Sequence, residues 1–346
     1  MSAAQPTVHA TGIGRLTDAD GIGDLVLPAP SCGPGQVLLR VEAVAVNHVD
    51  TFVRSGLYAT DLDFPVAVGR DAVGTIEAIG AEVRGAGARG LAPGRRAWTN
   101  SLGFEGRPGA TAELVAVDAD RLYPLPDGVD PVVAAAALHP CATAALAVDR
   151  QGKLEAGQTL YVAGGAGQVG SAVIVVAAAR GARVLASAGA RDAGYCRALG
   201  ADVVLDYHDA DLTGQLRAAA PGGLDVQLDT SGHNDLGMAV DLAARRGRIV
   251  VMAGPSSAPV LPAGQLYMRD ASVHGFAISN ATVGELAEAA DTVNALLAGG
   301  AWKPRNLVRR TFREAGWAHA QLESGRVRGT RIVLLPQHST PPSAAR

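Results

Sequence analysis

Hydrophobic residues fall in short runs early in the chain and in a strand–helix rhythm through its middle. Gln36–Val46 (QVLLRVEAVAV) is aliphatic and β-branched and predicts a strand. Val66–Val68 and Val73–Ile79 predict two more, with Gly69, Gly74 and Gly80 as punctuation. Little helical periodicity precedes Asp130, so this part predicts an irregular β domain. Arg84–Arg96, rich in Gly, Ala and Arg, predicts a surface loop.

After Asp130 the pattern changes. Val132–Val148 predicts a helix, and Thr159–Ala163 a strand running into Gly164–Gly170. Helix Ser171–Arg180, strand Arg183–Ser187, helix Asp192–Leu199 and strand Val203–Leu205 then alternate. Asp225–Asp229 and Arg248–Met252 add two strands with a helical segment between them. Such alternation predicts an α/β fold with a doubly wound parallel sheet. A helix at Thr282–Ala298 leads to a last strand, Arg331–Leu335, expected to rejoin the first domain. The tail His338–Arg346 is expected to fray. The expected division is 1–131 with 280–346 as one domain and 132–279 as the other. No internal repeat is visible.

Bulk properties narrow the class. A chain of 346 residues exceeds what one core usually organises, and 48% hydrophobic content suffices for two. The net charge is -3 and the 30 basic residues are scattered, which argues against nucleic-acid or polybasic membrane partners. Met1–Thr11 lacks a signal-peptide pattern. The longest apolar stretch is read as Val169–Arg180, too short for a bilayer span. Cys32, Cys141 and Cys196 are dispersed without a C-x-x-C pair, so a disulfide framework is not expected and a cytoplasmic location is.

The strongest chemical signal is Leu160–Gly170, where Gly164, Gly165, Ala166, Gly167, Gln168, Val169 and Gly170 join a short apolar strand to an Ala-rich helix. A turn without side chains lets the backbone approach a pyrophosphate, and the positive end of the helix faces its charge. A purely structural glycine turn is the alternative, and the flanking strand and helix favour dinucleotide binding. The second strand ends in Ser187-Ala188-Gly189-Ala190-Arg191, without the acid that accepts ribose hydroxyls in NAD sites. Ser187 and Arg191 can donate to a 2′-phosphate, so NADPH is the favoured cofactor. A solvated loop charge is the other reading of Arg191.

Asn47–Tyr58 (NHVDTFVRSGLY), Val68-Gly69-Arg70-Asp71, the glycine loop, Asp229-Thr230-Ser231-Gly232 and Gly325–Gly329 (GRVRG) together resemble the quinone oxidoreductase (zeta-crystallin) branch of the medium-chain dehydrogenase/reductase superfamily. The resemblance runs from about Val41 to Pro336. It implies a GroES-like catalytic domain from both chain ends, a central Rossmann domain, NADPH and a homodimer. Carried over residue by residue, it implies Asn47 and Thr143 near the nicotinamide and Tyr207 beside the adenosine phosphate. It further implies Ser231 and Gly254 at the ligand edge, Phe276 and Ile278 as backbone contacts to the carboxamide, and Arg328 as a late basic contact. Phe52 departs from relatives with Tyr there, and the turn after Gly189 is one residue shorter than in many.

Zinc-dependent relatives place Cys near Asn47 and a Gly-His-Glu motif where this chain has Gly69-Arg70-Asp71, so no metal is expected. His139 and Cys141 are read as pocket or core residues. Without a Lewis acid, hydride reduction of a conjugated carbonyl needs hydrogen-bond donors at its oxygen. Tyr58 is the candidate proton donor, with Asn47 beside it; the alternative is that Tyr58 lines the pocket and solvent gives the proton. The expected activity is reduction of a quinone or other conjugated carbonyl. Enoyl or 2-alkenal reduction and a low-turnover NADPH-binding sensor are the alternatives.

Overall fold

The computed structural model describes residues 5–87 and 89–337; the tail expected to fray lies outside them. The chain divides into two compact units, Met1–His139 with Leu297–Arg346, and Pro140–Leu296. Both boundaries fall inside helices, Pro131–Ala145 and Val283–Gly299.

In the first unit Gln36–Ala45 is the central strand. Val37, Leu39 and Val41 are buried and Arg40 is exposed, the period-two alternation of a strand with one face on a core. One edge pairs with Asp71–Ile79; the other pairs first with Leu114–Asp118 and then, at Val44 and Ala45, with Leu334 and Val333. Two register shifts bend the strand, and Arg96–Thr99 and Tyr123–Pro124 extend the sheet. The last strand, Thr330–Leu335, rejoins this unit as expected and pairs in parallel with Asn306–Thr311. A parallel pair requires a crossover, supplied by the helix Ala315–Glu323.

Several features go beyond the sequence expectation. Thr7–Ile13 pairs with Gly23–Pro28 and Val66–Ala67 in a separate small sheet. None of the described residues between 84 and 95 lies in a strand, but they are not merely superficial. Leu91 is fully buried, and the Arg89 guanidinium donates to the Leu122 carbonyl at 3.2 Å.

The second unit is a six-stranded parallel sheet. Its spatial order is Val203–Asp206, Arg183–Ala188, Thr159–Ala163, Leu224–Asp229, Ala243–Val251, Ser272–Gly275. Numbered along the chain this is 3-2-1-4-5-6, the doubly wound dinucleotide-binding order. Its switch point lies between Thr159–Ala163 and Leu224–Asp229, where the strand order reverses. The apolar stretch longest in sequence proves not to be Val169–Arg180. Pro131–Gln151 is a continuous 21-residue helical segment, with 78% of its most apolar 18-residue window buried inside the molecule. Pro140 interrupts its hydrogen-bond ladder and its last turns widen to a π-helix at Leu146–Gln151.

Candidate functional site

In the second unit the glycines meet specific steric demands at the switch point. Gly164 follows Ala163 with φ +78°, a conformation that side chains disfavour. A Cβ on Gly170 would lie 2.2 Å from the Gly164 carbonyl oxygen, and one on Gly165 2.8 Å from the Ala186 Cβ. Only glycine permits this approach of turn, helix and strand. Gly167, extended, precedes the helix Gln168–Ala179, whose first-turn N–H groups have no partner inside the helix. Those donors and the helix dipole make a cradle for phosphate charge.

The facing loop, Asp229–Asn234, is held by one carboxylate. Asp229 accepts from the main-chain N–H groups of Ser231 (2.7 Å), Gly232 (3.1 Å) and Asn234 (2.5 Å), and from the Ser231 hydroxyl (2.6 Å). The Thr230 hydroxyl donates to the Ala163 carbonyl at 2.7 Å, tying this loop to the strand that feeds the glycine turn. Asn234 donates to the Ala253 carbonyl at 2.9 Å, bringing Gly254 alongside. Glycine-specific packing recurs there, since a Cβ on Gly254 would meet the Gly232 oxygen at 2.4 Å. Gly164, Ser231 and Gly254 are therefore brought together. Phe276 donates its N–H to Val251 and Ile278 opens a short 3₁₀ turn; both side chains are buried. Thr143 is buried on the long helix, its hydroxyl without a partner among the described residues.

The end of the second strand separates the two residues read as phosphate donors. Ser187 is buried, and its hydroxyl accepts from the Tyr161 hydroxyl at 2.9 Å. It is a core contact, because parallel strands are covered on both faces. Arg191 projects outward, its side chain 86% exposed. Tyr207 lies beside Gly189, where an added Cβ would sit 3.8 Å from its hydroxyl, and packs against His208 with ring centroids 4.1 Å apart and planes tilted by 39°. His208 Nδ1 is 2.9 Å from Asp206, whose carboxyl is held below its usual range by the His208 backbone N–H and ring.

The first unit holds a buried polar cluster. Asn47 ends the central strand in extended conformation and precedes the helix His48–Ser55. Its main-chain N–H donates to Asp50 Oδ2 (2.7 Å), half of a capping box. Its side-chain amide donates to Asp71 Oδ2 (3.0 Å) and accepts from Arg331 Nη2 (2.9 Å). Asn47, Asp50, Arg70, Asp71 and Arg331 are each at most 5% exposed. Burial, reinforced by the Asp71 charge, pushes the Asp50 carboxyl up to about 7. Burial pushes Asp71 up to about 6 despite Arg331, Asn47 and Arg70. His139 is held neutral, far below the usual imidazole range, by burial and by the Arg70 and Arg331 charges.

Tyr58 borders this cluster. Its ring stacks on Phe104 with centroids 5.4 Å apart and planes inclined by 14°. The Arg70 guanidinium lies 5.3 Å from the same ring centre and that of Arg107 5.8 Å. Arg107 is fixed in turn by donation to the Ser101 carbonyl (2.6 Å) and to Glu105 (3.1 Å). Arg328 lies exposed in a turn of this unit, before the last strand. Sequence reasoning singled out Asn47 and Tyr58 but not Arg331, Asp50 or Asp71 as site residues. A carboxylate three residues after Asn47 and another directly after Arg70 were the available signals. Among the described residues no three His, Cys, Asp or Glu side chains converge as a metal-ligand set.

Two family models match this chain, alcohol dehydrogenase GroES-like domain over residues 33–127 and zinc-binding dehydrogenase over 169–295. The quinone oxidoreductase of Mus musculus is 28% identical over 317 residues, covering 90% of this chain and 92% of that protein. The quinone oxidoreductase of Pseudomonas aeruginosa is 28% identical over 312 residues, covering 87% and 92%. Among solved structures, a mycobacterial quinone oxidoreductase superposes with TM-score 0.82 at 28% identity, covering 95% of this chain and 100% of that one. A mycobacterial protein complexed with NADPH superposes with TM-score 0.81 at 28% identity over the same shares. With a GroES-like domain, a 3-2-1-4-5-6 Rossmann sheet and quinone oxidoreductases as relatives matched along nine-tenths of its length, the chain belongs to the medium-chain dehydrogenase/reductase superfamily.

Proposed function

We propose that this protein is an NADPH-dependent oxidoreductase that reduces a quinone or another conjugated carbonyl compound. One observation carries the cofactor assignment. The glycine cradle sits at the switch point of the parallel sheet, and the strand beside it ends without an acid, in Gly189-Ala190-Arg191. The cradle fits a dinucleotide, since Gly164, Gly165 and Gly170 leave room that a Cβ would fill. Gln168, Val169 and Gly170 would receive the pyrophosphate, and Arg191 and Tyr207 the 2′-phosphate. Ser187 is left out of that set by its bond to Tyr161.

Bound NADPH supplies the hydride. The protein's task is then to accommodate the charge that moves onto the acceptor oxygen, and conjugation lightens it by delocalising that charge. Tyr58, held by Phe104, offers a hydroxyl to that oxygen. Asn47 acts as a positioning residue, because both ends of its amide are engaged by Asp71 and Arg331. A homodimer is the assembly we propose. Ser272–Gly275 is an edge strand of the parallel sheet, and Tyr267 and Met268 next to it are exposed.

The acceptor is tested by following loss of reduced-nicotinamide absorbance with NADPH, offering a quinone and an enoyl thioester in parallel. Faster turnover of the quinone supports quinone reduction. Preference for the thioester reassigns the activity to enoyl reduction.

A further inference from the structure

Apart from the polar cluster, the first unit carries a cavity of about 250 Å³. Its construction follows from strand register. Gln36 opens the central strand, Asp118 closes Leu114–Asp118, and the two stand directly opposite each other. The Gln36 side-chain amide donates to Asp118 Oδ1 at 3.1 Å across that pair. The chain then enters a 3₁₀ turn, Ala119–Arg121, which brings Arg121 to the same cavity three positions after Asp118. Residues of the loop 101–108 complete the wall, Glu105 and Arg107 among them.

Four charged side chains line this cavity, two of each sign, and they divide into two kinds. Glu105 and Arg107 pair with each other at 3.1 Å, and Arg107 also donates to the Ser101 carbonyl at 2.6 Å. Their charges are used within the wall. Asp118 and Arg121 do not pair with each other. Asp118 is met by a neutral amide, and Arg121, partly buried, forms no ion pair among the described residues. One carboxylate and one guanidinium therefore face the same space, each still able to take a charged partner. Pro108 and Ala116 give that space an apolar side.

We propose that this cavity binds a small zwitterion of the amino-acid type, its carboxylate on Arg121, its ammonium on Asp118 and its aliphatic side chain against Pro108 and Ala116. A guanidinium presents a fork that matches a carboxylate, and an ammonium brings three donors to a carboxylate that a single amide leaves largely open. A ligand of one sign would satisfy one pole and be repelled by the other, so the pairing of charges selects a molecule carrying both. Size points the same way. The cavity falls below the roughly 300–1,000 Å³ of pockets that take drug-sized ligands. Neither Asn47, Tyr58 nor any residue of the glycine cradle lines it, so the assignment does not rest on the reductase reading.

The test is calorimetric titration of the full-length protein with three probes of one shape: L-leucine, 4-methylpentanoate, which lacks the ammonium, and 3-methylbutylamine, which lacks the carboxylate. Leucine should bind at least about tenfold more tightly than either, the worth of one charge-assisted contact. Arg121→Gln should weaken leucine at least about tenfold and leave the amine no weaker, and Asp118→Asn should weaken leucine and leave 4-methylpentanoate no weaker. Both side chains are at least partly exposed and hold no core contact, so both variants should fold and keep wild-type affinity for NADPH. Binding of 4-methylpentanoate as tight as that of leucine would make the cavity a plain anion site and overturn the proposal. Equal binding of the amine would overturn it likewise. Leucine affinity unchanged in both variants would place the ligand elsewhere, and no binding of any probe at millimolar concentration would leave the cavity without this role.

Discussion

Asn47 and Arg331 stand 284 positions apart and meet at 2.9 Å, the guanidinium donating to the amide oxygen of a residue that also donates to Asp71. Arg331 also donates to the Val46 carbonyl at 3.4 Å. These contacts fasten the last strand to the end of the central one, beside the register pairs Val333–Ala45 and Leu334–Val44. Arg331→Met leaves Asp71 buried without that charge, and breaking a buried pair on one side costs about 3–5 kcal/mol. Asn47→Ala loses hydrogen bonds but no charge and should cost about 1–3 kcal/mol. Urea unfolding of both variants measures the order. A smaller loss for Arg331→Met than for Asn47→Ala would mean the cluster is not held electrostatically.

The buried acids also shape pH dependence. Asp50 and Asp71 titrate at about 7 and about 6 when folded, against 3.8 unfolded, so the folded protein holds protons that the unfolded chain releases. Their contribution to stability therefore falls as pH rises from about 4 to about 7. Asp50→Asn removes part of that fall, so its stability relative to wild type should be higher at pH 7.5 than at pH 5. A difference that does not change with pH would contradict the assignment.

His319 supplies the opposite slope. Burial and the Arg54 charge push it down to about 3, so below its unfolded value of 6.5 the unfolded chain takes up a proton that the folded protein refuses. Stability from this group is complete above 6.5 and lost as pH falls toward 3. His319→Gln should be less acid-sensitive than wild type, read as a smaller drop in urea midpoint between pH 7 and pH 5.

Two glycines give contrasting outcomes. Gly170→Ala drives a Cβ to 2.2 Å from the Gly164 oxygen, a main-chain clash inside the cradle. NADPH binding, followed by fluorescence, should weaken by at least about 100-fold, a geometric penalty of roughly 3 kcal/mol. Gly194→Ala meets nothing within 4 Å in a helix and should stabilise the protein by up to about 1 kcal/mol, with binding unchanged.

Much of the second unit was legible because its signals are local. Each strand of the parallel sheet except the edge strand Ser272–Gly275 was visible as an apolar run, and the glycine cradle as a motif between strand and helix. What resisted reading depends on contacts distant in sequence or on side-chain direction. Ser187 lies on a strand covered on both faces, where no alternation tells an inward hydroxyl from an outward one, and only the Tyr161 partner reveals it. The hairpin Thr7–Ile13 with Gly23–Pro28 has a mixed, half-exposed pattern without a strong period. The polar cluster was half visible. Asn47 and Tyr58 stood out by resemblance, but nothing near Arg331 in sequence announces that it crosses to Asn47.

The most direct test of the central claim is stoichiometric turnover. NADPH and a quinone are mixed with catalytic protein, and nicotinamide oxidation and hydroquinone formation are followed together, with NADH in a parallel sample. One NADPH consumed per hydroquinone formed, with NADH markedly slower, is the predicted result. Tight NADPH binding without oxidation, against both quinones and conjugated carbonyls, would contradict the reductase account and leave a protein that binds the cofactor without using it.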